Sequence, residues 1–526
     1  MPKKFIPVKI IITLILQLVA SCVAPSSRAE SNPHNDSHLA SPELQQISSQ
    51  DSLYLRILAE DTWNFFTTFV DSATGLIPDN LNARDFESSD YTSATNIGLY
   101  LVCVAAAEDL EFISHEKALD YLSHTLSSLQ KMERYRGFHL NWYNIPAMKV
   151  TRQYVSSVDA AWLYASVAAI SVKYPELKNS CQNILSGVDF AWLFDPALGQ
   201  FYLGYDREQE VFSPYHYGML CSESRIVSYL ALAWQQVPES HWTQLYRVLP
   251  DSVDQQGSPH QFSQQFGQQK SFSSGYYLYG APRLNPRSAL HDPSKRLVSP
   301  LSSVRREGRH PAEAEVASIP PRVNSGFPAK VDEDSLPILP SWGGSMFEYL
   351  MPTLFVDERS DAPLGLGEND KRIVAIHRDY ALNHLGYQVW GMSPSATPDG
   401  GYDVFGVSAI GSHKEGSRED IVTPHASILA LSFAPRWIVE NLEMLEKNFK
   451  IRGKYGFFDS VNPKTGEVAK KYLALDQGMI LLSINNYLNT GSLSLTFKQV
   501  GEMKRVLEII AAEHFFPEAM DQKYIE

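Results

Sequence analysis

Cysteine is scarce in this chain, four in 526 residues, and none stands at the Cys/His spacing that holds zinc. Basic charge is also in deficit. Lys and Arg number 45 against 59 Asp and Glu, a net charge of -14, which argues against a nucleic-acid partner because phosphate binding depends on basic surface. Beyond the first twenty residues no apolar run approaches the length that spans a bilayer. A phosphate-binding glycine loop, a zinc HExxH and a GxSxG elbow are all missing, so the sequence implies no metal and no organic cofactor.

What is present begins at the N-terminus. Lys3, Lys4 and Lys9 precede an apolar stretch at 10–19, a basic region and a hydrophobic region too short to span a membrane, as in an export signal. Val19-Ala20-Ser21-Cys22 resembles a bacterial lipobox with Cys22 as the lipidated residue; Ser27-Arg28-Ala29 offers an ordinary cleavage site instead. The expected division is a signal peptide at 1–22, a polar tether at 23–52 and one domain at 53–516. The protein is then expected in the periplasm or cell envelope as a monomer, touching membrane only through a lipid on Cys22. Cys103, Cys181 and Cys221 lie on apolar helical stretches and read as core residues, with one disulfide among them left open.

Helical periodicity recurs along the rest of the chain. It predicts helices at 53–70, 92–110, 115–134, 156–173, 177–194, 221–236, 241–249, 344–356, 369–385, 424–433, 435–449, 472–489 and 497–512. Six of these, at 92–110, 156–173, 221–236, 344–356, 424–433 and 472–489, are apolar nearly all round and read as buried. Those between them carry one charged face. Inner and outer helices in alternation predict an all-α fold, an (α/α)6 toroid with short β-hairpins in its loops; an α-solenoid or irregular bundle shares the pattern. FYLGYDREQEVF, from Phe201, reads as one such hairpin. DSATGLIPD, DPALGQFYLGYD and DSVNPKTGEV, from Asp71, Asp195 and Asp459, read as similar turns. Residues 251–339 interrupt the order as a low-complexity insertion, a surface element or a lid or docking loop.

In a ring of helical hairpins the inner helices start around one opening, to which their N-termini bring partial positive charge. Thr92, Asn96, Asp159, Glu223, Trp342, Glu348, His425, Asp476 and Gln477 stand at those starts. Glycoside cleavage needs a carboxylic acid for the leaving oxygen and a second carboxylate for water or the anomeric carbon. Glu223 suits the acid, because burial raises a carboxyl's pKa. Asp159 suits water or sugar, or a helix N-terminus. Glu348 is a reserve carboxylate or a structural acid holding a loop. Trp142, Tyr143, Tyr217, Trp342, Trp390 and Tyr402 fall in turns or helix mouths, where flat rings stack on sugars. His216, Arg225, His425, Asp476 and Gln477 complete the expected substrate-binding set.

The same segments resemble the glucoamylase-like (glycoamylase) family, whose relatives include glycoside hydrolase family 144 and the transglycosylase domain of cyclic β-1,2-glucan synthases. The resemblance rests on TSATNIGLYL, RGFHLNWYN, SSVDAAW, HYGMLCSESR, SWGGSMFEYLMP, VWGMSPSATPDGGY, VTPHASILAL, YGFFDSVNP and YLALDQGMI. It implies an (α/α)6 fold and action on β-1,2-linked glucans or related oligosaccharides, with Asp159 and Glu223 at acidic positions of the family. Two departures stand out: Trp162 replaces an acid of family 144, and Ser393-Pro394-Ser395 lacks the Glu of the synthase relatives. An inverting hydrolase is the reading these favour. A non-catalytic glycan-binding or surface interaction protein of the same fold is the alternative.

Overall fold

The computed structural model describes residues 47–247, 338–412 and 417–516. The signal segment, Cys22, most of the tether and all but the last two residues of the insertion lie outside the described residues. In chain order the helices are α1 (Ser49–Phe69), α2 (Ala94–Asp109), α3 (His115–Lys131), α4 (Ser157–Lys173), α5 (Lys178–Leu185), α6 (Arg225–Ala233), α7 (Ser240–Gln244) and α8 (Met346–Leu350). They continue with α9 (Glu358–Asp361), α10 (Leu366–Asp379), α11 (Pro424–Leu429), α12 (Pro435–Phe449), α13 (Ala474–Leu488), α14 (Ser492–Phe497) and α15 (Met503–Ala511). None is long and apolar enough to cross a membrane.

The buried and amphipathic classes separate as the hydrophobic pattern predicts. Residues 94–107 of α2 and all but Asp159 between 157 and 170 of α4 are buried on every face. In α3 only one stripe, Ala118, Leu122, Thr125, Leu126 and Leu129 with Ser128, is buried, with Glu116 in its first turn and Lys131 in its last, each favourable to the helix dipole. α2 packs on α4 and α13, α4 on α6, and α11 on α8 and α13. The approach of α2 to α4 depends on Gly98, where an added Cβ would sit 2.7 Å from the Cα of Leu163.

Several predicted helices are shorter than their apolar runs. The 221–236 segment becomes helical only at Arg225, because Cys221 bridges Ser341 and residues 222–224 form a turn. Pro352 shortens the 344–356 segment to α8 and a 3₁₀ turn, Met351–Leu354. The 497–512 segment divides into the end of α14 and α15.

Strands among the described residues are two to four residues long. Their function is local: they deliver the chain to buried helices. Tyr91–Ser93 pairs with Trp142–Asn144 and runs into α2; Tyr154–Ser156 pairs with Gly204–Asp206 and runs into α4; Lys471–Leu473 pairs with Asn80–Asn82 and runs into α13. Gly204–Asp206 also pairs with Val211–Phe212, the hairpin expected in that segment. Cys103, Cys181 and Cys221 are buried and free, so no two of them are joined.

Candidate active site

The strand-to-helix junctions fix the first-turn side chains. Ser93 caps α2 by accepting from the Asn96 N–H at 3.1 Å, and Ser156 caps α4 by accepting from that of Asp159 at 3.2 Å. Each such cap contributes about 1 kcal/mol and sets the entry angle of its helix. Two side chains of the first turn of α2 then reach carboxylates. The Thr95 hydroxyl donates to Asp159 Oδ1 at 2.6 Å, and the Asn96 amide donates to Asp79 Oδ1 at 2.7 Å.

Glu223 lies in the turn before α6, where the Ser222 hydroxyl donates to its Oε2 at 3.0 Å. Its carboxyl is pushed up to about 7, first by burial and then by the charge of Glu348; its own backbone N–H, Ser222 and Arg225 oppose the rise. Asp159 is also raised, by burial, against hydrogen bonds from Ser156, Thr95 and Asn141. Both residues nevertheless keep part of their surface accessible. Deep position with an accessible edge is the condition of a group lining a recess.

Two tyrosines connect the acids of this recess. The Tyr217 phenol is held well above its ordinary value by burial and by the charges of both Glu223 and Asp159. Tyr402 is 59% exposed, yet burial leads the causes that raise its phenol, followed by Asp476, Asp459, Asp79 and Glu223. The Tyr217 phenol thus lies near Glu223 and Asp159, and the exposed Tyr402 ring near Asp476, Asp459, Asp79 and Glu223.

On that second side, His425 of α11 and Asp476 of α13 are buried, with Nδ1 and Oδ2 3.5 Å apart. Burial lowers the His425 imidazole to about 3, leaving it neutral. Asp459 is pushed up to about 6 by burial, and Asp476 is raised by burial and by the Asp459 charge. Gln477 donates to the Phe457 carbonyl at 3.0 Å.

Other expected site residues belong to the scaffold. Glu348 accepts at 2.8 Å from the Gly343 N–H, at 3.0 Å from the Ser341 hydroxyl, and at 2.9 and 2.8 Å from the Ser345 N–H and hydroxyl. With four donors on two oxygens it holds the 341–345 loop and is not free to act on substrate. Arg225 is fully buried, forked onto Glu358 at 3.1 and 2.8 Å and donating to the Tyr349 carbonyl at 2.5 Å, which ties α6 to α8. Tyr143 is buried with its hydroxyl donating to the Glu133 carbonyl at 2.6 Å, and Trp390 is in the core. The His216 ring lies 4.5 Å from that of Tyr202, tilted by 38°, and contacts Asp195 at 3.1 Å, which braces its hairpin. Trp142 and Trp342 are half-buried.

Asp79 and Asp459 were not among the expected site residues. Asp71 and Asp195 make the turns expected of them, each accepting from backbone N–H groups two and three residues on. In the third segment Asn462 does that work, accepting from Lys464 and Thr465. Asp459 is thereby released from the turn, and this doubling of turn formers was the available signal. Asp79 carries no comparable mark along the chain.

Comparison with known proteins agrees with the resemblance read from the sequence. Residues 317–500 match the Glycoamylase family, described as "Putative glucoamylase", and residues 57–195 match a family described as a protein of unknown function. The cyclic beta-(1,2)-glucan synthase NdvB of Rhizobium meliloti is 25% identical over 539 residues, covering 87% of this chain; the chain spans 18% of that relative's length. An endo-beta-1,2-glucanase from Chitinophaga pinensis, solved with sophorotriose and glucose, has the same fold with a TM-score of 0.61 at 15% identity, over 88% of this chain and 98% of that one. A crystal structure from Bacteroides caccae, described as a putative glucoamylase, matches at a TM-score of 0.61 and 18% identity over 88% and 98%.

Proposed function

We propose, from the glycoamylase likeness over residues 317–500, that this chain is a glycoside hydrolase acting on a glucan or oligosaccharide. The observation that carries the reading is Glu223: a carboxyl pushed up to about 7 is about half protonated at neutral pH, and it lies with Asp159 beside the Tyr217 ring. Glu223 protonates the leaving oxygen as the glycosidic bond breaks, while Asp159 positions the water, or the sugar that water attacks. The packing order α13, α2, α4, α6 on one side and α13, α11, α8 on the other, with Arg225 spanning α6 and α8, supports an (α/α)6 toroid.

A β-1,2-linked substrate is the finer proposal, supported by the likeness to the glucan synthase and the glucanase. An inverting course is favoured by Ser393-Pro394-Ser395. Ser393 and Ser395 are buried there, and the Ser393 hydroxyl accepts from the Phe347 N–H at 3.0 Å, so the segment brings no second acid. The test is release of new reducing ends from β-1,2-, β-1,3-, β-1,4- and α-linked glucans by the wild-type protein and by Glu223→Gln. Release from the β-1,2 chain alone, lost in the variant, is expected; binding without release from any glucan contradicts the reading.

Export with a lipid on Cys22 is a further part of the proposal, resting on the N-terminal pattern. Cys22→Ser is expected to move the protein from the membrane fraction to the soluble fraction on cell fractionation.

A further inference from the structure

Three elements meet around one set of ligand-type side chains. His425 in the first turn of α11, Asp459 just before the strand Ser460–Val461, and Asp476 in the first turn of α13 each place a donor atom within 4.8 Å of the other two. Their exposures are 1, 2 and 3%. Asp459 Oδ2 accepts from the Ala396 N–H at 2.5 Å, but Asp459 Oδ1, Asp476 Oδ2 and both ring nitrogens of His425 have no hydrogen-bond partner. Buried polar atoms rarely go unpaired, and each orphan costs about 1–3 kcal/mol. A proton shared between the two carboxyls would satisfy them and leave the imidazole bare.

We propose that His425, Asp459 and Asp476 bind one divalent cation of the zinc class. The donor set, one imidazole and two carboxylates, suits a first-row dication, and two carboxylates balance its charge. One spacing agrees as well: ligands about 2.1 Å from a tetrahedral ion are about 3.4 Å from one another, against 3.5 Å between His425 Nδ1 and Asp476 Oδ2. Three protein ligands leave a position for water. Separations of 34 and 17 residues along the chain match no metal motif, so the site exists only in the folded protein. It is independent of the proposed glucan cleavage.

The test is titration of the full chain, stripped with a chelator and returned to metal-free buffer, with zinc chloride by calorimetry. Cobalt(II) absorption serves as a second readout. One equivalent is expected, with ligand-field bands for cobalt and a rise in Tm on adding zinc. His425→Ala and Asp459→Asn are each expected to weaken binding by about tenfold or more. Should either variant lose its native circular dichroism, His425→Gln, closer in volume, is titrated in its place. A wild-type protein that takes up no zinc overturns the site, as does an equivalent whose affinity is unchanged in every folded variant. Since no substrate is needed, the outcome stands whether or not any glucan is cleaved; cleavage by a protein that binds no zinc overturns the cation alone.

Discussion

The two sides of the recess hold acids in opposite ways. On the α4 and α6 side, Asp159 and Glu223 are only partly buried, and each accepts from a hydroxyl, that of Thr95 and that of Ser222 respectively. On the α11 and α13 side, Asp459, Asp476 and His425 are more deeply buried and face one another with unpaired atoms. Burial raises the carboxyls on both sides, so burial alone does not separate them. What differs is the supply of donors and the access to solvent. An acid that is steadied by neighbours and still reachable can exchange a proton with a substrate, whereas a buried set with unpaired lone pairs has room for a positive partner.

The largest effect that sharpens this contrast is the loss of the proton on the first side. Glu223→Gln is expected to lower kcat by about 10²- to 10⁴-fold while the glucan dissociation constant, read by calorimetry, holds steady. An equal loss of binding would make Glu223 a scaffold residue like Glu348.

The same substitution has a stability consequence with the opposite sign. Glu223 titrates near 7 when folded and near its ordinary 4.5 when unfolded, so between those values the folded state binds the extra proton. Stability is therefore lost as pH rises from 4.5 through 7. Above 7 the wild-type protein is expected to be less stable than Glu223→Gln by about 3 kcal/mol, and below 4.5 that difference should vanish, as urea unfolding at two pH values would read. A gap independent of pH would mean that the carboxyl is not perturbed.

A smaller effect tests the donors themselves. Thr95→Val removes the hydroxyl at 2.6 Å from Asp159 and keeps the shape of the side chain. One hydrogen bond to a charged group is worth about 1.5–3 kcal/mol, so kcat should fall by about 10- to 150-fold. No change would show that Asp159 works without its hydroxyl partner.

Much of this frame was legible along the chain, and particular residues show where legibility ended. Ser93, Ser156 and Ser345 announce helix starts through local chemistry, and all three accept the first-turn N–H expected of a cap. All-round apolar runs marked α2, α4 and α13 because periodicity is a property of one segment. Tyr143, Trp390 and Arg225 were misplaced because exposure depends on segments far away: Arg225 is claimed by Glu358, 133 residues on. Glu223 was expected inside a helix and stands before one, since the bridge from Cys221 to Ser341 fixes a turn that no local signal announces. Asp79 and Asp459 acquire their place only when α2 and α13 come together.

The dependence of kcat on pH, taken for the wild-type protein and for Glu348→Gln, tests the role of Glu223 most directly. A protonated Glu223 must supply the proton, so the wild-type rate is expected to fall on the alkaline side with a midpoint near 7. Removing the Glu348 charge relieves the penalty on ionised Glu223, which should move that midpoint to lower pH. A rate that stays level across the alkaline range, or a midpoint untouched by Glu348→Gln, would contradict a general acid at Glu223.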